Sequence, residues 1–200
     1  GFSGGRKSIL PGVSSKVTVL GNHCSKFIDS PYSRTGILEG NPIHKDMIAA
    51  SKMAHQKYIV NVIIDADKKV VHAVAGDAIE AHAAGCKFLQ DYCQVVPKKA
   101  ADIAISTNGG YPLDQNMYQS VKGMTAAEAA AKDDGILIMV SNCGDGHGGE
   151  GFYEALKNCS SPADLMAEIL KVPQDQTKPD QWEYQIQCRI LMQHKVIYVM

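Results

Sequence analysis

The stretch that most constrains this chain is Ile136-Leu137-Ile138-Met139-Val140. It runs without a polar break into Ser141-Asn142-Cys143-Gly144-Asp145-Gly146-His147-Gly148-Gly149. A short, unbroken apolar run rich in branched side chains reads as a strand covered on both faces, as in a parallel sheet. The glycine-rich loop that follows lies at the strand's C-terminal end, where open α/β sheets usually place their binding sites.

Strand and helix signals alternate around that strand. Asn41 is a candidate N-cap, with Pro42 at the first helical position and Ile43, Met47 and Ile48 on one side. Residues 58–64 are rich in β-branched residues, and Asp65-Ala66-Asp67-Lys68 turns the chain into a second strand over 70–75. Gly76-Asp77 opens a helix reaching about Cys93, with Asp77 and Glu80 in capping-box spacing. Pro97-Lys98-Lys99 then breaks the pattern and marks a boundary between two subdomains, residues 1–96 and 97–200.

Beyond the boundary, residues 102–107 read as a short buried strand. A helix spans about 114–123, and another starts at Thr125 with Glu128 completing its cap. Helices follow from Phe152 and Ser161. A polar loop over 173–179 precedes a last helix from Trp182 to about His194 and a strand at Val196. The fold class expected is therefore α/β, with layered, mostly parallel sheets and flanking helices.

Composition narrows the function. Twenty Lys and Arg stand against twenty-one Asp and Glu, a net charge of −1. No basic footprint for nucleic acid or for an anionic membrane follows from that balance, and no apolar run reaches the roughly 18 residues of a membrane span. The six cysteines (Cys24, Cys86, Cys93, Cys143, Cys159, Cys188) form no C-x-x-C pair and read as the reduced thiols of a cytoplasmic protein. The chain opens at Gly1 with no initiator Met and stops at Met200 within an apolar strand, so it reads as a fragment of a longer protein.

Three groups of residues carry chemistry. The opening run Ser3-Gly4-Gly5-Arg6-Lys7-Ser8 can expose backbone N–H groups to an anion, with Arg6 and Lys7 as cations beside it. It is not a Walker A loop, because Arg6 stands where glycine should precede the lysine. Tyr118 and Lys122 are four apart and share a helix face with Gln119 near it, a phenol, an amide and an ammonium suited to a carboxylate. His147, flanked by glycines, has the best local case among the seven histidines, none of which forms a zinc-type pair. A hydrolase built on Asp145 and His147 needs a nucleophile; Ser141 or Cys143 is available, but no nucleophile elbow surrounds either.

Taken together, these segments resemble the nickel-pincer lactate racemases. The resemblance rests on Ser3-Gly4-Gly5-Arg6-Lys7-Ser8-Ile9-Leu10-Pro11-Gly12 and on Asn22-His23, sixteen residues after the lysine. It continues through Asn108-Gly109-Gly110-Tyr111-Pro112-Leu113-Asp114-Gln115-Asn116, then Tyr118-Gln119 and Lys122-Gly123-Met124, Asp145-Gly146-His147-Gly148-Gly149-Glu150, and Trp182.

The resemblance implies a cofactor, a pyridinium-3,5-bisthiocarboxylic acid mononucleotide nickel (nickel-pincer nucleotide), joined through its thioamide to Lys7 within the Ser3-Gly4-Gly5 loop. His23 is then the protein's ligand to nickel. Tyr118, Gln119, Lys122 and Trp182 line the substrate and cofactor pocket, with Lys122 and Gln119 holding the substrate's carboxylate and oxygen. The implied reaction is racemisation of a 2-hydroxy acid, lactate by default. The Cα hydrogen leaves as hydride to the pyridinium ring and returns to the other face of the planar keto acid. The family's two base histidines precede the glycine-rich loop and are absent here. The implied partners are accordingly the missing N-terminal portion of the protein, the enzymes of cofactor synthesis and the small 2-hydroxy acid, and the chain alone is expected to be inactive. The alternative is a nucleotide-binding or regulatory module that keeps the fold without catalysis; retention of Lys7, His23, Gln119, Lys122 and Trp182 argues against it.

Overall fold

A computed structural model of the chain describes residues 2–200; Gly1, where the glycine-rich run opens, lies outside the described residues. The first part begins with a 3₁₀ turn, Gly5–Ser8, followed by α1 (Lys16–Asn22), α2 (Ser25–Asp29) and α3 (Pro42–Met53). Asn41 caps α3 as expected, its Oδ1 accepting from the N–H groups of Ile43 and His44. The hairpin β1 (Ile59–Ile64) and β2 (Val70–Gly76) is antiparallel, and α4 (Glu80–Cys93) packs across it over Ile59, Ala78 and Ala81.

Asp77 does accept from the backbone N–H groups of Ile79 and Glu80. The regular helix nevertheless begins at Glu80, later than the expected start at Gly76-Asp77, because residues 77–79 are spent on the capping turn.

The second part is built on one parallel sheet with its helices packed on a single face. Its strands are β3 (Ala101–Thr107), β4 (Ala131–Val140) and β5 (Lys195–Val199), in the order β3-β4-β5. Helix α5 (Met117–Glu128) connects β3 to β4; α6 (Glu150–Lys157), α7 (Pro162–Ile169) and α8 (Gln181–Gln193) connect β4 to β5. The α/β class and the parallel sheet are as expected. The other face of the sheet carries Ile103, Ile105, Val140, Ile197 and Val199 exposed, so the strand over 136–140 is not covered on both faces as its apolar run suggests.

The core lies where α5 and α8 meet the central strand: Val121, Met124, Leu137, Met139, Phe152, Tyr184 and Ile190 are all buried. Strand β3 is not the buried strand the sequence suggests. It is an edge strand, with Ala104 turned to the core while Ile103 and Ile105 stand exposed.

A second difference lies in α5. No helix starts at Thr125; a single helix capped by Asn116 runs from Met117 to Glu128. The Thr125 hydroxyl donates back to the Lys122 carbonyl, a bond available within a continuous helix, so it does not serve as a cap.

Candidate functional site

Helix α2 docks on α8, and α1 on the 3₁₀ turn Gln174–Gln176 that precedes it. Ser25 Oγ donates to the Val172 carbonyl at 3.3 Å, the Gln185 side chain donates to the Ser25 carbonyl at 3.0 Å, and that of Gln174 to the Gly21 carbonyl at 3.0 Å. This docking carries His23, at the C-terminal end of α1, against Trp182 at the start of α8: their ring centroids are 5.0 Å apart.

His23 is held in one tautomer. Its Nδ1 lies 3.0 Å from the Val19 carbonyl, which can only accept, so Nδ1 carries the proton and Nε2 keeps a free lone pair. Burial, and then the charge of Lys7, hold the imidazole below its ordinary pKa against the opposing Val19 bond.

Lys7 sits on the 3₁₀ turn. Its backbone N–H donates to the Gly4 carbonyl at 3.0 Å, and Gly4 and Gly5 both take positive φ, +82° and +49°. Neither glycine has room for a side chain. A Cβ at Gly4 would stand 2.8 Å from Asn61 Oδ1, and one at Gly5 2.9 Å from His82 Cδ2. Asn61 Oδ1 accepts from the Gly5 N–H at 2.9 Å, pinning the turn to β1. Ser3, before the turn, is exposed. The Lys7 amine is pushed below the ordinary lysine pKa, mainly by desolvation and then by the charges of Arg6 and Lys122.

Arg6 departs from the expectation of a cation beside an anion nest. It is 5% exposed, and its guanidinium is spent on the His44 and His82 rings and the Phe2 carbonyl.

On α5, the Lys122 ammonium rests on Gln119 Oε1 at 2.5 Å. Tyr118 packs edge-on against Phe152, centroids 5.8 Å apart. Its phenol is held well above the usual tyrosine range by burial and by Glu183 and Asp180, against an opposing interaction with Trp182. The His23–Trp182 ring contact and the Trp182–Tyr118 interaction join the two ends of the chain, and the charges of Lys7 on His23 and of Lys122 on Lys7 are felt in the same neighbourhood.

Two residues with no signal in the sequence belong here. Glu183 follows Trp182 and is 4% exposed; its Oε2 is buried with no hydrogen-bond partner. Burial chiefly pushes its carboxyl up to about 7, with Asp180 adding and Lys122 opposing. With Lys122, Arg34, Thr35 and Arg189 it lines a cleft of about 370 Å³ between α5, α8 and residues 33–35. His82 is the other, buried beneath the Lys7 turn.

The glycine loop after β4 belongs to a different group. His147 stacks on Tyr153 at 4.3 Å, and Ser141 Oγ is committed to Ser120 Oγ and the Asp114 carbonyl, so no nucleophile–base pair forms there. Its backbone instead holds the start of α5: the His147 carbonyl accepts from the Tyr118 N–H at 3.1 Å. The six cysteines are unbridged, and among the described residues no helix is long and apolar enough to cross a membrane.

Known proteins resemble this chain over its whole length. It is 58% identical over 199 residues to a lactate racemase of Thermoanaerobacterium thermosaccharolyticum and 53% identical over 199 residues to one of Lactiplantibacillus plantarum. It covers 46% and 47% of those two proteins, so it spans about half the length of the curated relatives it matches. The solved structure of the T. thermosaccharolyticum lactate racemase apoprotein superposes on 98% of this chain and 47% of its own, with a TM-score of 0.96. Residues 96–200 match the family model of the lactate racemase C-terminal domain, and residues 1–36 that of the N-terminal domain. The chain belongs to the lactate racemase family.

Proposed function

We propose that this chain is the cofactor-tethering and substrate-facing part of an isomerase that racemises or epimerises a 2-hydroxy acid, lactate by default, through a nickel-pincer nucleotide. The observation that carries this reading is the His23–Trp182 contact at 5.0 Å, with Lys7 near enough to His23, and Lys122 to Lys7, for their charges to be felt. Residues 1–96 form the tethering unit in this reading, and residues 97–200 the second unit.

The donor set fits such a group. His23 presents Nε2 with its other nitrogen fixed on a carbonyl, the arrangement that orients a metal-bound imidazole. Two sulfurs, a ring carbon and one imidazole make a soft, four-coordinate set suited to nickel(II). In this reading His23 would be the one protein donor. Lys7 must be an uncharged amine to form a thioamide, and its surroundings push it that way. When bound, the group supplies a ring carbon able to accept a hydride and return it.

The chain's own side chains do the rest. Lys122 gives the substrate carboxylate a charged donor; its ammonium rests on Gln119 Oε1, and a carboxylate is a stronger acceptor than that amide and displaces it. Gln119, once released, is free to hydrogen-bond the substrate oxygen. Trp182 walls the neighbourhood and keeps water from the reacting carbon. The bases that move the hydroxyl proton on each face of the substrate are assigned to residues outside these 200.

Co-expression with the cofactor-synthesis enzymes, followed by intact mass and metal analysis, tests this. Support is a mass adduct mapping to Lys7 with bound nickel, lost in Lys7→Ala; His23→Ala keeps the adduct and loses nickel. Nucleotide bound to an unmodified chain overturns the reading in favour of a non-catalytic module. Racemisation by the 200 residues alone overturns the placing of the bases elsewhere.

A further inference from the structure

Arg6 is a buried cation with no ion pair to any Asp or Glu among the described residues. Its donors go to neutral acceptors: Nε to His44 Nδ1 at 3.0 Å, and Nη1 to His82 Nε2 at 2.7 Å and the Phe2 carbonyl at 2.8 Å. Burying a guanidinium without a counter-charge is costly, and an apolar residue would fill the space at less cost. The charge itself is therefore the feature that needs a reason.

The clamp lies directly beneath Lys7. Nη1 also reaches the Gly4 carbonyl at 3.3 Å, the same oxygen that accepts from the Lys7 N–H and closes the turn. The His82 ring packs so closely on the turn that Gly5 has no space for a Cβ. Gln56 donates to the Gly5 carbonyl at 3.2 Å from the far side. A small cavity of about 160 Å³, lined by Ser3, Arg6, Lys7, Asn41 and His44, opens beside it.

We propose that Arg6, gripped between His44 and His82, is a positioning residue that presents Lys7 as a reactive amine. The proposal rests on the preceding reading only for what the amine is used for. The charged and titratable groups facing the clamp and the amine are His23 from the end of α1, His44 from α3, His82 and Cys86 from α4, and Lys122 from α5. Arg6 keeps both imidazoles neutral, so they remain acceptors: burial, then Arg6, lowers His44 to about 4 and His82 below its ordinary value. The same fixed charge disfavours an ammonium on the next residue.

The test is acetylation of the unloaded chain by acetic anhydride across the pH range, with modification at Lys7 read by peptide mass spectrometry against free acetyl-lysine amide. Lys7 is expected to reach half its limiting rate at a lower pH than the standard. Arg6→Gln is expected to slow Lys7 labelling at pH 8 roughly threefold or more. His82→Gln keeps an oxygen that accepts from the guanidinium and stays near wild type. His82→Phe keeps the ring and loses the acceptor, so it moves toward Arg6→Gln. A role in packing alone reverses that order. The same pair at the half-buried His44 repeats the comparison where substitution is better tolerated.

Wild-type labelling in a folded Arg6→Gln chain, or the reversed order at either histidine, overturns the proposal. Failure of the racemase reading is a different result: no adduct on Lys7 in cofactor-loaded cells, with the labelling profiles unmoved.

Discussion

The imidazole of His23 and the indole of Trp182 stand 5.0 Å apart with their planes tilted by 55°, joining the end of α1 to the start of α8. No local propensity makes that contact. It exists because Ser25 and Gly21 give backbone carbonyls to Gln185 and Gln174, which tie the first two helices to the second half of the chain.

Trp182 is the only tryptophan, so its fluorescence reads this contact. An imidazolium beside an indole quenches it, whereas a neutral ring does so far less. Since burial first, and Lys7 second, hold His23 below 6.5, emission is expected to fall on acidification with a midpoint below that value. His23→Gln is expected to abolish the titration. A midpoint at or above 6.5, or a titration surviving in His23→Gln, contradicts the geometry.

Gln185→Met is a near-isosteric way to remove the buried tie to Ser25. Gln185 is 1% exposed, so the substitution leaves the Ser25 carbonyl buried without its donor. The expected loss is about 1–3 kcal/mol in urea denaturation. Ser25→Ala removes a partly buried hydroxyl bond and is expected to cost about 0.5–1.5 kcal/mol. Gln185→Met also removes the unpartnered buried Oε1, so equal stability would mean that the tie is worth no more than the cost of burying that oxygen.

Helix α8 explains why the site was only half legible in the sequence. Gln181, Glu183, Gln185 and Gln187 are all buried, so nearly the whole circumference of this helix is covered while its composition stays polar. An apolar-face pattern cannot reveal a helix whose hidden positions are amides and a carboxyl. Trp182 was visible as a lone aromatic; Glu183 beside it carried no signal.

The same holds for Arg6, His44 and His82, which sequence separates by a helix and a hairpin and the fold brings together. What was legible was local: the Asn41 cap, the Asp65-Ala66-Asp67-Lys68 turn, the apolar run in β4 and the glycine-rich turn at Lys7. Thr125 and the β3 edge misled because a back-bonding hydroxyl resembles a cap and an edge strand can be as apolar as a central one.

Gly5→Ala tests the turn itself. The substitution places a methyl at φ +49° and 2.9 Å from His82 Cδ2, so either the turn or the ring must move. The expected cost is about 1–3 kcal/mol, with a matching fall in Lys7 adduct when cofactor is supplied. Gly36→Ala is the comparison at another positive φ, since a Cβ there meets nothing within 4 Å. It is expected to carry backbone strain and leave the adduct intact. An adduct that survives Gly5→Ala at wild-type level would free Lys7 from dependence on the turn's shape.

His44 and Glu183 are expected to pull stability in opposite directions with pH. His44 is lowered from 6.5 to about 4, so as pH falls through that window the unfolded chain takes up a proton that the native one refuses, and stability is lost. Glu183 is raised from 4.5 to about 7, so between those values the native chain keeps a proton that the unfolded one has released, and stability is lost as pH rises. Above pH 7 the native state bears the full cost of a buried carboxylate whose Oε2 has no partner. Glu183→Gln removes that cost while keeping the shape, and is expected to gain roughly 1–3 kcal/mol at pH 8 and nothing below pH 4.5. His44→Gln is expected to flatten the acid limb alone. Thermal melts of the three proteins from pH 4 to 9 decide it: if Glu183→Gln melts with wild type at pH 8, Lys122 neutralises the buried carboxylate more fully than its position indicates.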